Sequence, residues 1–317
     1  MSKKKQIPKI LKEIKSHIPI VMDYSYQKSI SYSAFSTYYS CKKKWALKYK
    51  DGHYKQDYNL NLVFGTAIHN TIQNYLTVAY EVSGVEADQI DLEEYFQTQF
   101  TEEYQKSFKD NGNKHFSNAA EMREFYEDGV NILNFIKKNR NRYFSKRDWY
   151  LVGVEIPILV SPYTRFKNVI FKGFIDLVLY HEPTNKFVIY DLKTSSRGWV
   201  DKDKKDETKI AQILLYKHYF SKQFNIPIED IDVEFFIMKR KIPKSTDFPI
   251  YHIQQFKPAS GKNKVSKAVE NLEKFIQDVF DDNGLKDKQY EATPSDWNCR
   301  YCVFKTDKSL CSVGINK

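Results

Sequence analysis

The stretch Phe171–Lys193, FKGFIDLVLYHEPTNKFVIYDLK, limits what this 317-residue chain can fold into more than any other part of it. Phe171–Tyr180 is rich in Phe, Ile, Val and Leu. His181-Glu182-Pro183-Thr184-Asn185 has the chemistry of a tight turn, and Lys186–Lys193 is β-prone again at Phe187, Val188 and Ile189. The pattern predicts two antiparallel strands, so the chain must contain a sheet. Two carboxylates interrupt it: Asp176 inside the first strand, and Asp191 at the end of the second with Lys193 two residues on. Alternate residues on a strand share a face, so Asp191 and Lys193 project together and the hairpin can bring Asp176 beside them. Two acids and a lysine converging on a sheet can hold a divalent metal and a nucleophilic water. On the residues alone, a surface aspartate and a simple Asp–Lys turn pair explain the same letters.

Around this hairpin the chain divides by pattern. Residues 1–30 read as a basic, loosely ordered arm, and 31–317 as one domain. A helix capped by Ser31 or Ser33 runs through Lys50 and includes Cys41. A second, about Leu62–Val82, carries an apolar stripe of Phe64, Ile68, Ile72, Tyr75 and Ala79, with His69 beside it. A lone histidine there is more often packed than ligating. Residues 86–108 and 118–145 read as two further helices broken by Asn111-Gly112-Asn113, which makes 62–146 a helical subdomain. Residues 147–258 form a sheet core. Its elements are a strand over Tyr150–Ser161 that carries Glu155, the hairpin, a charged loop over Thr194–Lys209, a helix near Thr208–Phe224, and strands over Ile231–Lys239 and Tyr251–Phe256. An amphipathic helix over Ser266–Phe280 follows. This order predicts an α/β fold, a mixed central sheet flanked by helices.

No apolar run reaches the ~18 residues that would suggest a membrane span, and the basic N-terminus lacks a signal-peptide core, so the cytosol is the default. The formal charge is +10, which suits a polyanionic partner. The four cysteines are Cys41, Cys299, Cys302 and Cys311. In a reducing compartment two disulfides are not expected, which leaves a [4Fe–4S] cluster, a Zn²⁺ site or free thiols. Four thiolates serve iron–sulfur and zinc alike.

Three features fall into one order. G-F-I-D is followed fifteen residues on by D-L-K-T and then by Q-x3-Y; G-x3-H lies upstream; one early cysteine pairs with a late C-x2-C-x8-C. Together these resemble the RecB-like branch of the PD-(D/E)xK nuclease superfamily, and within it the iron–sulfur exonucleases: the CRISPR-associated RecB-like nuclease, the AddB nuclease domain and phage relatives. The resemblance spans about residues 31–311. It implies a restriction-endonuclease-like core with an iron–sulfur clasp, residues 297–311 with Cys41, joining the chain ends. Asp176 and Asp191 would bind Mg²⁺ or Mn²⁺ with His69 and the Leu192 carbonyl, and Lys193 would orient or help deprotonate the attacking water. Gln212 and Tyr216 would help position DNA, and Glu155 lies where some relatives carry another acid. Cys41, Cys299, Cys302 and Cys311 would hold a [4Fe–4S] cluster, with Zn²⁺ as the alternative. The branch often has Glu where this chain has Asp191, and Pro where it has Lys42.

The resulting expectation is a metal-dependent DNA exonuclease acting at free ends, with preference for single strands, in recombination, repair or phage DNA processing. No G-x4-G-K-[ST] motif is present, which matches a free-standing nuclease better than a helicase fusion. The alternatives are a structure-specific endonuclease on the same fold and a non-catalytic nucleic-acid-binding protein stapled by zinc or a cluster.

Overall fold

The computed structural model describes residues 7–19, 28–53, 58–163, 166, 169–243 and 250–315. The chain runs α1 (Lys9–Ser16), β1 (Lys28–Ile30), α2 (Tyr32–Ser40), α3 (Lys42–Trp45), a π-helical turn (Ala46–Lys50), α4 (Leu60–Glu81), α5 (Gly84–Gln89), α6 (Leu92–Asp110), α7 (Ala119–Lys138) and α8 (Arg140–Tyr143). It continues through β2 (Trp149–Val160), β3 (Val169–His181), β4 (Lys186–Ser195), α9 (Asp201–Lys204), α10 (Glu207–Phe224), β5 (Ile231–Lys239), β6 (Ile253–Phe256) and α11 (Lys262–Val279). The pair β7 (Phe280–Asp281) and β8 (Gly284–Leu285) and the short helix α12 (Asp296–Arg300) complete it. The result is an α/β fold: a mixed six-stranded sheet with helices on both faces.

Local chemistry sets the boundaries. Asn59 caps α4 by accepting from Asn61 and Leu62 N–H, and Asp206 caps α10 by accepting from Thr208 and Lys209 N–H. Asn118 and Glu121 close a capping box on α7. Asn185 ends the β3–β4 turn in the left-handed conformation, and Tyr180 OH donates to its side chain. Ser31 is the cap of α2, yet that helix does not run to Lys50. The backbone is extended at Cys41, so the cysteine stands at a break. The basic arm is corrected as well. Leu11 and Ile14 of α1 are buried in the main core, so this part of the arm is docked; residues 1–6 and 20–27 lie outside the described residues.

The sheet separates two cores. On one face α1, α2, α10 and α11 pack with Phe35, Leu214 and Phe275 against Ile189, Val233 and Phe235. On the other α4, α6 and α7 bring Phe64, Phe96 and Ile132 against Leu177, Tyr190 and Phe236. Alternate side chains of β4 therefore serve opposite cores, which is why its middle is buried throughout.

One irregularity shapes the molecule. β2 pairs with β3 along most of its length, from Trp149–His181 to Val160–Phe171. On the other edge of β3, β1 pairs only with Val169–Phe171, and β4 pairs only with Leu177–His181. Between Phe171 and Leu177 that edge has no ladder. β4 instead leaves β3 and continues beside β5 as far as Ser195–Lys239. A slit opens where the strands part.

Candidate active site

The slit begins at the two aspartates. The β3–β4 ladder ends at the pair Leu177–Tyr190, and the next facing residues in that register are Asp176 and Asp191. Having lost its strand partner there, the Leu192 N–H donates to Asp176 Oδ2 at 2.6 Å. By alternation Asp191 and Lys193 face α10. Lys193 Nζ lies 2.7 Å from Asp191 Oδ2 and donates to Gln212 Oε1 at 3.0 Å. Gln212 Nε2 donates in turn to Tyr216 OH at 3.4 Å, so the two α10 residues form one chain with the lysine.

From the other face, α4 brings in His69 and Gln73. His69 lines an open pocket of about 440 Å³ with Glu155, Leu192, Lys193 and Thr194. Gln73 Nε2 donates both to Glu155 Oε1 at 2.6 Å and to the Asp176 carbonyl at 2.9 Å. Helices from opposite faces of the sheet can meet at the same carboxylates only because β3 and β4 have parted.

The electrostatics follow from burial. Asp191 is 1% exposed. Burial pushes the carboxyl groups of Asp176 and Asp191 above the usual range. For Asp176 the charge of Asp191 adds to this, while Lys193 pulls both back toward ionisation. Burial alone would lower Lys193, but the two aspartates more than offset it and hold the ammonium protonated. Its side chain keeps 32% of its surface, which places it at the pocket wall. Burial and the Lys193 charge push His69 down to about 4, so its imidazole is neutral and a ring nitrogen can serve as a lone-pair donor.

Both Asp191 oxygens are sealed from solvent; Oδ2 is ion-paired with the Lys193 ammonium at 2.7 Å, and Oδ1 has no donor among the described residues. Two carboxylates against one lysine leave the fork short of positive charge, which is costly away from water. It calls for a cation, and hard oxygen donors suit Mg²⁺ or Mn²⁺. The donor chemistry fits. Among the described residues, however, no group of three or more His, Cys, Asp or Glu side chains is already drawn together to hold a metal.

The same holds for the cysteines. Cys41, Cys299, Cys302 and Cys311 are free thiols that line one small cavity of about 20 Å³, but the sulfurs do not stand at ligating positions. Other bonds hold the chain ends together here. Asn298 Nδ2 donates to the Ser40 carbonyl, Ser40 Oγ donates to Asn298 Oδ1, and Lys43 N–H donates to the Glu291 carbonyl.

A sequence profile of the PD-(D/E)XK nuclease superfamily matches residues 29–307. The chain belongs to the PD-(D/E)XK nuclease superfamily. No curated protein matches it. Superfamily membership implies phosphodiester hydrolysis on DNA, supported by Mg²⁺ or Mn²⁺. Among the described residues no helix is long and apolar enough to cross a membrane.

Sequence reasoning named Glu155 but not its backbone, which is left-handed at φ 47° inside β2, a conformation costly for a residue with a Cβ. It missed two contributors to this site. Gln73 is an amide in mid-helix with no local signal. Gly173 is the second, and its spelling in G-F-I-D offered a clue. A Cβ there would stand 2.6 Å from the Tyr216 ring, so only glycine lets that ring lie on β3.

Proposed function

We propose that this superfamily member is a metal-dependent DNA exonuclease of the RecB-like type, acting on free ends with preference for single strands, in recombination, repair or phage DNA processing. The observation that carries the catalytic reading is the pair of carboxylates at the strand fork, Asp176 half-buried and Asp191 fully buried, beside a single lysine held protonated between them. His69, Asp176, Asp191 and the Leu192 carbonyl are the groups that would hold the divalent ion. The chemistry such an ion supplies when bound is Lewis-acid polarisation of the scissile phosphate and acidification of a water.

The chain's own residues do the rest. A lysine kept cationic by two carboxylates is a poor proton acceptor, so Lys193 orients the attacking water and offsets charge developing on the phosphate. Gln212 fixes the ammonium, and Tyr216 fixes Gln212. Gln73 ties Glu155 to the Asp176 backbone and sets the rear wall. The end-directed, single-strand reading rests on the motif resemblance.

Cys41, Cys299, Cys302 and Cys311 are the residues that would hold a [4Fe–4S] cluster, or Zn²⁺, clasping the α2–α3 break to the C-terminal segment. Four thiols around one cavity are suitable soft donors.

The test is hydrolysis of end-labelled linear strands and of covalently closed circular single strands with Mn²⁺. Release of mononucleotides from linear strands, an intact circle and no activity in Lys193→Ala are the expected results. A cut circle means an endonuclease. Parent-like rates in Lys193→Ala refute the mechanism.

A further inference from the structure

A groove of about 270 Å³ lies beside α10, between the end of α9 and α11. Its floor is apolar, with Ile210, Leu214, Phe256 and Pro258, and its walls carry Lys204, Lys205 and Lys267. Lys264 at its rim is paired with Glu207 at 3.3 Å. Among the described residues the other three lysines have no hydrogen-bond or ion-pair partner; of the neighbouring acids, Asp203 pairs with Lys209 and Asp206 caps α10.

Exposed aromatic rings flank this recess. Trp297 is 62% exposed, and Lys202, two residues before Lys204, sits 5.0 Å from its ring centroid. Tyr39 is 43% exposed and its OH donates to the carbonyl of Asn271, a groove residue. The Ser40–Asn298 hydrogen bond joins the neighbours of these two aromatics and so brings their segments together.

We propose that this surface binds single-stranded nucleic acid and leads it to the fork carboxylates, an assignment that rests on the nuclease reading. Unpaired lysines supply sequence-independent contacts to phosphates, and the exposed part of each aromatic ring supplies stacking for unpaired bases. Paired bases inside a duplex can reach neither the apolar floor nor the rings. The first turns of α10 lie between groove and site. Ala211 lines the groove, while Gln212, next in the chain and about 100° round the helix, reaches the catalytic lysine. A strand rounding the first turn of α10 crosses one helix diameter, about 10 Å, which is roughly three stacked nucleotides at ~3.4 Å each. Tyr32, whose OH donates to the Thr208 carbonyl on that turn, lies within electrostatic reach of Asp191.

The test measures binding apart from cleavage. Fluorescence anisotropy of a labelled oligothymidylate is read in EDTA over a KCl series for the parent, for Lys204→Gln/Lys267→Gln and for Trp297→Ala. Loss of two phosphate contacts lowers the slope of log K against log salt by about 1.4, and loss of one stacking partner weakens binding about tenfold or more. A blunt duplex is insensitive to Trp297→Ala. A parent that does not bind the oligomer overturns the proposal, as do variants that keep its slope and affinity; equal loss on the duplex overturns the single-strand assignment. Photocrosslinking of a 5-bromodeoxyuridine oligomer to the unaltered protein gives a readout free of folding effects. Adducts on Trp297 or Tyr39 support the track, and adducts confined to other surfaces overturn it. Cleavage by the parent with Mn²⁺ tests the nuclease reading separately.

Discussion

Gly173→Ala is the sharpest probe of how the site is held. The new Cβ would stand 2.6 Å from Tyr216 Cε1 and 3.3 Å from its Cζ and Oη. Ordinary contact begins near ~3.5 Å, so a displacement of roughly 1 Å is required. Tyr216 is buried and cannot swing into solvent, and β3 is held by β2 on its other edge. The displacement therefore passes through Gln212 to Lys193. Overpacking of this kind costs about 1–3 kcal/mol, equivalent to a fall in Tm of roughly 1.5–4.5 °C for a chain of this size. A misplacement near 1 Å at the reacting groups costs on the order of a hundredfold in rate. The assays are thermal melting and kcat/KM on a labelled strand. Tyr216→Ala removes the obstructing ring, so the double variant should lose at least ~1 kcal/mol less stability than the two single losses added together. Parent-like melting and activity in Gly173→Ala, or strict additivity in the cycle, would refute the claim that close approach of this ring to the strand positions the lysine.

Asp191→Asn breaks the buried ion pair with Lys193. In EDTA it should melt below the parent temperature, and cleavage with Mn²⁺ is abolished; parent-like melting refutes the assigned pairing. Asp278 is the second charge to examine. Partial burial pushes its carboxyl up, but the Lys288 ammonium and the Tyr38 hydroxyl, with Lys42, outweigh that and hold it down at about 2. Its stabilisation is therefore complete above the unfolded value near ~4 and is lost as pH falls through about 2. With 29% of the side chain exposed, screening reduces the gain to roughly 1 kcal/mol. The Tm gap between parent and Asp278→Asn should be constant from pH 5 to 7 and close toward pH 2, and a gap that widens on acidification contradicts the assignment. Cys41→Ser should lower the iron or zinc content of anaerobically purified protein and its melting temperature together; unchanged content and melting sink the clasp.

Much of the architecture could be read from local pattern. The β3–β4 hairpin follows from two β-prone runs around Pro183 and Asn185, and β5 from the apolar run Ile231–Lys239. The break after α6 follows from Asn111-Gly112-Asn113, where Gly112 and Asn113 both take positive φ. What could not be read depends on distant parts of the chain. Nothing local says that the β3–β4 ladder stops at Leu177–Tyr190, because that depends on β5 drawing β4 away. The extended backbone at Cys41 cannot be inferred from lysines on one side and aromatics on the other. Gln73 acquires meaning only from Glu155 and Asp176, which lie far from it in the chain. The docked α1 was hidden by its lysines, which outnumber the two buried apolar residues that fix it.

The slit in the sheet has two ends, and they are closed by different means. One is the start of the β3–β4 ladder. The other is β1, three residues in parallel register with Val169–Phe171. A strand so short is held less by its own hydrogen bonds than by its neighbours in sequence: α1, anchored by Leu11 and Ile14, and α2, anchored by Phe35 and Tyr38. The N-terminal segment thus works as a stopper for the cleft as well as a basic appendage. A truncation at Ser31, attractive to anyone trimming a lysine-rich leader for crystallisation, would unplug one end of the cleft and uncover apolar surface that α1 now shields. For engineering purposes the boundary of the catalytic unit lies before α1.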